Sequence, residues 1–127
     1  MRILKFEEIK AWQLARELVK KIYGLSEQKE FSRDFGFRDQ IRRASVSIMS
    51  NIAEGFERYS NNEFVQYLVV AKGSAGEVRS QLYIALDLKY ISAGQFSELK
   101  DLCEIISRQL SNLIKYLKNN KPLKEPS

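Results

Sequence analysis

Arg42 and Arg43 stand side by side between Ile41 and Ala44, so at least one guanidinium lies at the edge of a packed face. Asn51 and Glu54 follow a few turns later, amid Ile48, Ile52, Ala53 and Phe56. Two kinds of chemistry suit such residues. A guanidinium fork matches two phosphate oxygens, so Arg42, Arg43 and Arg58 could present cations to a nucleic-acid backbone. Alternatively, these groups pair with one another, because a polar group beside an apolar face is expensive to bury alone. On that reading Glu54 is expected to pair with Arg42 or Arg43 from a neighbouring helix or subunit. Gln40 and Glu77 are the other polar residues that stand out.

The residue types exclude more than they admit. The chain contains no histidine, which removes Ser-His-Asp triads, imidazole metal ligands and the Glu-x-x-His di-metal sites of helical bundles. Its one cysteine, Cys103, can form no intrachain disulfide and no thiolate cluster; at its position it reads as a small buried hydrophobe. Gly73-Ser74-Ala75-Gly76 lies inside a helical pattern and not after a strand, so it reads as a place of close helix approach rather than a phosphate loop. Trp12 falls on an apolar stripe and reads as core or interface. No metal, no cofactor and no catalytic residue is expected, and the protein reads as a non-enzyme.

The elements that must position these residues are helical. With 127 residues and 44% hydrophobic content, the chain suits one domain. Both prolines, Pro122 and Pro126, fall near the end, so long helices are permitted before them. Ile9, Trp12, Ala15, Val19 and Ile22 recur at helical steps and predict a helix over about 7–25. The stretch 26–36 reads as a loop, with a turn near Phe31. A second helix is predicted over about 37–58, with two apolar stripes and small residues between them. A third is predicted over about 61–88, with Ser60 or Asn61 as its cap and Glu63 placed for a capping box with Ser60. Its residues Phe64, Leu68, Ala71, Ala75, Val78, Leu82 and Ala85 alternate steps of four and three without a fault. A fourth runs over about 93–118, where Phe96, Leu99, Cys103, Ile106, Leu110, Leu113 and Leu117 do the same. The expected fold is an all-α, antiparallel up-and-down four-helix bundle over 1–118, followed by a basic, flexible tail over 119–127.

The formal net charge is +5, a mild bias toward anionic partners. Residues 1–58 hold 12 basic and 9 acidic side chains, 59–114 hold 5 and 6, and 115–127 hold 4 and 1. Positive charge therefore sits in the first half and the tail. No apolar run approaches the ~20 residues that span a bilayer, and the N-terminus turns acidic at Glu7 and Glu8 before any signal-peptide core could form. No membrane partner is expected.

Several blocks, taken together, resemble a known family. Ala11-Trp12-Gln13-Leu14-Ala15, Gln40-Ile41-Arg42-Arg43-Ala44, Ser47-Ile48, Asn51-Ile52-Ala53-Glu54-Gly55 with Arg58, and Ala71-Lys72-Gly73-Ser74 with Glu77 are similar to the four-helix-bundle proteins encoded in bacterial 23S rRNA intervening sequences. The likeness runs from about Phe6 to Leu117. Met49 stands where proline is common in that family, which predicts a straighter helix here. The resemblance implies a cytoplasmic bundle that assembles as a ring-like homopentamer. More distantly, the chain resembles the accessory variability protein of diversity-generating retroelements, a basic pentamer that binds nucleic acid and a reverse transcriptase. Carried over by position, Gln40, Asn51, Glu54, Gly55, Arg58, Gly73, Ser74 and Glu77, together with Trp12, are expected to be structural or to form the subunit interface. Lys20, Lys21, Arg38, Arg42, Arg43, Lys115, Lys118, Lys121 and Lys124 are the candidates for contact with RNA or DNA. The alternative is a purely structural protein–protein interaction module.

Overall fold

The computed structural model describes residues 3–119 of the chain. A short 3-10 turn, Phe6–Glu8, leads into α1 (Lys10–Ser26), α2 (Lys29–Arg33), α3 (Phe35–Phe56), α4 (Asn61–Asp87) and α5 (Ala93–Lys118). The four long helices form an antiparallel up-and-down bundle. α1 packs on α3 and α5, and α4 packs on the same two helices, so α1 and α4 lie across a diagonal. The predicted seams line the core. Leu68, Ala71, Ala75, Val78, Leu82 and Ala85 of α4 meet Leu99, Cys103, Ile106 and Leu110 of α5, all at or near zero exposure. Ile41, Ile48 and Ile52 of α3 and Ala15, Leu18 and Ile22 of α1 complete it.

Local chemistry sets the helix ends. Ser60 begins α4 by accepting the Glu63 amide at 3.2 Å. Its hydroxyl donates to Glu63 Oε1 at 3.3 Å, so the reciprocal half of the expected box is replaced by a side-chain bond. The complete capping box lies at α5, where Ser92 Oγ accepts from the Gln95 amide and Gln95 Oε1 accepts from the Ser92 amide. α4 ends with Lys89 in the left-handed region, φ 62°, and the Tyr90 amide bonded back to Ala85 O. α3 is unbroken through Met49.

The loop expected over 26–36 contains α2, a single turn with Phe31 buried. The turn expected near Phe31 is this one; a single turn carries no period, so the sequence pattern does not give it as a helix. Asp34 then caps α3: its Oδ1 accepts from the Phe37 amide at 3.3 Å, while Oδ2 accepts the Tyr90 hydroxyl at 2.8 Å. Phe31 stacks on Phe37 and Tyr90, with centroids 5.5 and 5.1 Å apart. This cluster closes one pole and binds α2, α3 and the α4–α5 turn together. The bond to the Asp34 carboxylate holds the Tyr90 hydroxyl above its ordinary pKa.

At Gly55, α3 and α4 pass too close for a side chain. A Cβ there would stand 2.6 Å from Tyr67 Cβ and 3.0 Å from the Phe64 ring. Tyr67 Cβ cannot move without its backbone, so Gly55→Ala is expected to lower stability by about 1–3 kcal/mol; an unchanged urea midpoint would show that the two helices are not this close. A second expectation concerns Cys103, whose thiol is pushed up to about 12 by burial. A thiol in an unfolded chain ionises at about 8.5, so the unfolded state gives up its proton first and stability falls as pH rises from there toward 12. Iodoacetamide at pH 8 should leave Cys103 intact in the folded protein and alkylate it in denaturant.

Candidate nucleic-acid interface and the α3–α4 seam

Of the polar residues singled out along 40–77, Asn51, Arg58 and Ser74 lie at the edge where α3 meets α4, whereas Arg42 and Arg43 lie toward α1. Asn51 Nδ2 donates to Ser47 O at 2.8 Å and to Ser47 Oγ at 3.0 Å, and the Ser47 and Ser74 hydroxyls bond across the two helices at 3.0 Å. Arg58 lies over the Tyr67 ring at 4.9 Å, donates to the Tyr67 hydroxyl, and reaches Glu54 at 3.2 Å. Gln81 donates to Glu77 at 3.3 Å. The seam is thus a set of short-range pairs that keep polar groups at the edge of a dry core. Gln40 is exposed on the same outer side of α3.

Two expectations change here. Glu54 does not meet Arg42 or Arg43 within the chain. It is an exposed residue paired with Arg58, four residues on and just past the end of α3, because the rotation of α3 turns Glu54 outward and Arg42 toward α1. Gly73 and Gly76 do not mark close approach within the bundle either: a Cβ at either would meet nothing within 4 Å. Ser74 and Ala75 between them face inward. Trp12 lies at a different place, half-buried on α1, edge-on to Phe6 at 5.2 Å and with Arg16 stacked over it.

The basic candidates divide into engaged and free. Arg42 is engaged: its Nε donates to Ser26 Oγ at 2.7 Å, an Nη reaches Glu27 at 3.2 Å, and the guanidinium covers the Tyr23 ring at 4.5 Å. It ties the start of α3 to the end of α1. Arg38 donates to Asp39 and to Ser32 O and lies over Phe35. Lys21 pairs with Glu98 across α1 and α5 at 3.1 Å. Lys20 and Arg43 are exposed and make no ion pair among the described residues. Arg43 lines a groove of about 310 Å³ with Tyr23, Asp39, Arg42 and Val46.

At the other pole, Lys115 and Lys118 share a groove of about 440 Å³ with Lys72, Ser111, Ile114 and Asn119. No carboxylate lines it, and none of the three lysines is in an ion pair among the described residues. The C-terminal dipole of α5 favours Lys115 and Lys118, but gives no reason for Lys72 to join them. Lys72 escapes the sequence reading because the middle of the chain is slightly acidic as a whole; only the pairing of α4 with α5 brings it beside the lysines at the end of α5. Lys121 and Lys124 lie outside the described residues. Among the described residues, no group of three His, Cys, Asp or Glu side chains could hold a metal ion, and no helix is long and apolar enough to cross a membrane.

The fold and the seam define an all-α protein of the antiparallel four-helix type. The family model described as 23S rRNA-intervening sequence protein matches residues 7–112, and the chain belongs to that family. A similar crystal structure is that of a protein with unknown function from the S23 ribosomal protein family of Bacteroides thetaiotaomicron VPI-5482. It is 25% identical, with a TM-score of 0.72 over 84% of this chain and 95% of that one. Among curated proteins none matches. Neither description names an activity.

The exposed Glu54–Arg58 pair is worth no more than about 1 kcal/mol. Glu54→Ala is therefore expected to shift the unfolding free energy by less than that; a loss of several kcal/mol in thermal or urea unfolding would place Glu54 in a buried interface instead.

Proposed function

We propose that this chain is a non-enzymatic, cytoplasmic homo-oligomer, pentameric by its family resemblance, that binds RNA or DNA through phosphates. The observation that carries this reading is the meeting of Lys115 and Lys118, with Lys72 beside them, on one groove whose lining within the chain holds no carboxylate. Like charges gathered without counter-charge raise the free energy of the isolated molecule, and a polyanion relieves that strain. The groove faces the pole from which the basic tail, with Lys121 and Lys124, departs. Arg43 and Lys20 supply free cations elsewhere, whereas Arg38, Arg42 and Lys21 already have partners. Repeating the groove in each copy of a ring would turn a weak single contact into a multivalent one.

Binding of this kind is read by salt. Labelled RNA or DNA should shift at low salt, with affinity falling steeply as salt rises and little preference among sequences. Replacing Lys115, Lys118, Lys121 and Lys124 by Gln should weaken binding with oligomer mass unchanged. On duplex DNA the salt slope should flatten by up to about 0.9 for each phosphate no longer neutralised. Absence of any shift at about 50 mM salt would overturn the nucleic-acid reading, since electrostatic binding is strongest when salt is low. The role of adaptor for another protein, such as a reverse transcriptase, would then take its place.

A further inference from the structure

We infer that the outward face of α4 is the surface along which copies of this chain pack on one another, helix against helix and pointing the same way. The inference rests on the oligomeric part of the reading above and says which surface forms the oligomer. α4 is apolar on two sides. One side fills the core; the other presents Val69, Val70, Ile84 and Leu88, each about half exposed, with Tyr83 beside them.

Gly73 and Gly76 lie between these apolar groups, with Ser80 on the same side. Glycine is among the least favourable residues inside a helix. At Gly55 the close passage of α4 accounts for it. At Gly73 and Gly76 nothing within the chain does, because a Cβ there would enter open space. Two glycines a turn apart on an exposed apolar stripe form a saddle that lets another helix come close. A small ligand or a loop would not need that length: from Gln66 to Leu88 the stripe runs about 33 Å at 1.5 Å per residue. A strip that long and one helix diameter wide, about 10–12 Å, covers roughly 330–400 Å² per protomer, about half of the ~800 Å² per partner of a standard interface.

Charge points to a second copy as the occupant. Lys72 and Glu77 flank the glycines on opposite edges of the stripe, five residues apart. Parallel helices packed along this stripe bring Lys72 of one copy beside Glu77 of its neighbour, as flanking charges do across a parallel helix pair. Cyclic assemblies keep every protomer pointing the same way along the axis, so the parallel arrangement suits a closed ring. Engaging Lys72 leaves Lys115 and Lys118 of the basic groove open to an anion.

Light scattering at micromolar concentration tests this, with wild type expected at a multiple of 14.8 kDa. The double variant Gly73→Leu, Gly76→Leu should keep its helical circular-dichroism spectrum, because the bundle has room for both side chains, and should fall to the monomer mass. Lys72→Glu and Glu77→Lys should each weaken association by about tenfold or more, and combining them should restore it. These reversals are surface changes and stay informative if the leucine variant does not fold. A leucine variant with wild-type mass, or charge reversals without effect, would overturn the assignment of this face while leaving the oligomer standing. A monomeric wild type would overturn the oligomeric reading itself.

Discussion

The close passage of α3 over α4 at Gly55 is the constraint on which the rest of the structure depends. With no side chain at that point, the Tyr67 Cβ can come to a distance that any other residue would forbid. Once the helices are this close, Arg58 falls against the Tyr67 ring, and Ser47 and Ser74 come within hydrogen-bond distance. Ser47, Ser74, Asn51 and Arg58 along this edge then bond to groups beside them, whereas Gln81 Oε1 is buried with no hydrogen-bond partner among the described residues. The core behind them is left to Ile48, Ile52, Leu68, Ala71 and Ala75, with almost no exposure. Small residues on α4 and larger ones on α3 and α5 interlock, as a close-packed interior requires.

The same helix pairing sorts the cations. Near one pole, arginines serve the fold: Arg42 clamps the end of α1, and Arg38 holds α2 to the start of α3. Planar guanidinium groups suit this work, since one group can bond two oxygens and cover an aromatic ring together. At the other pole Arg58 does the same beside Tyr67, while Lys115 and Lys118 of α5 line a groove without a carboxylate. A flexible, strongly hydrated ammonium contributes little to packing, so its clustering reflects the field it makes rather than the contacts it forms.

α4 carries the most unusual pattern in the chain. Most surface helices show one apolar stripe; this one shows two, separated by its edges toward α3 and α5. The inner stripe is a regular heptad seam. The outer one mixes branched aliphatics with glycines, a composition that suits neither a solvated surface nor a monomeric core. The fold is shared with a Bacteroides protein at 25% identity. That likeness is what a bundle held by seam spacing permits, since many apolar sets fill the same interior.

The four long helices, their order and their antiparallel course were legible in the linear pattern. Spacings of three and four over more than three turns specify a face, and short polar joins between such faces leave few ways to close a bundle. The capping serine at 60 and the buried state of Cys103 were legible for the same reason: each depends on neighbours along the chain. The turn near Phe31 was legible only as a turn; its helical form and the Asp34–Tyr90 bond were not, because a single turn has no period and Tyr90 is 56 residues away. The partner of Glu54, the contrast between Gly55 and the glycines at 73 and 76, and the gathering of Lys72 with Lys115 and Lys118 were decided only in three dimensions. Periodicity along a chain tells which residues share a face of one helix. Which edges of two helices then touch depends on their rotation and relative height, and those are set by the packing of all four helices at once.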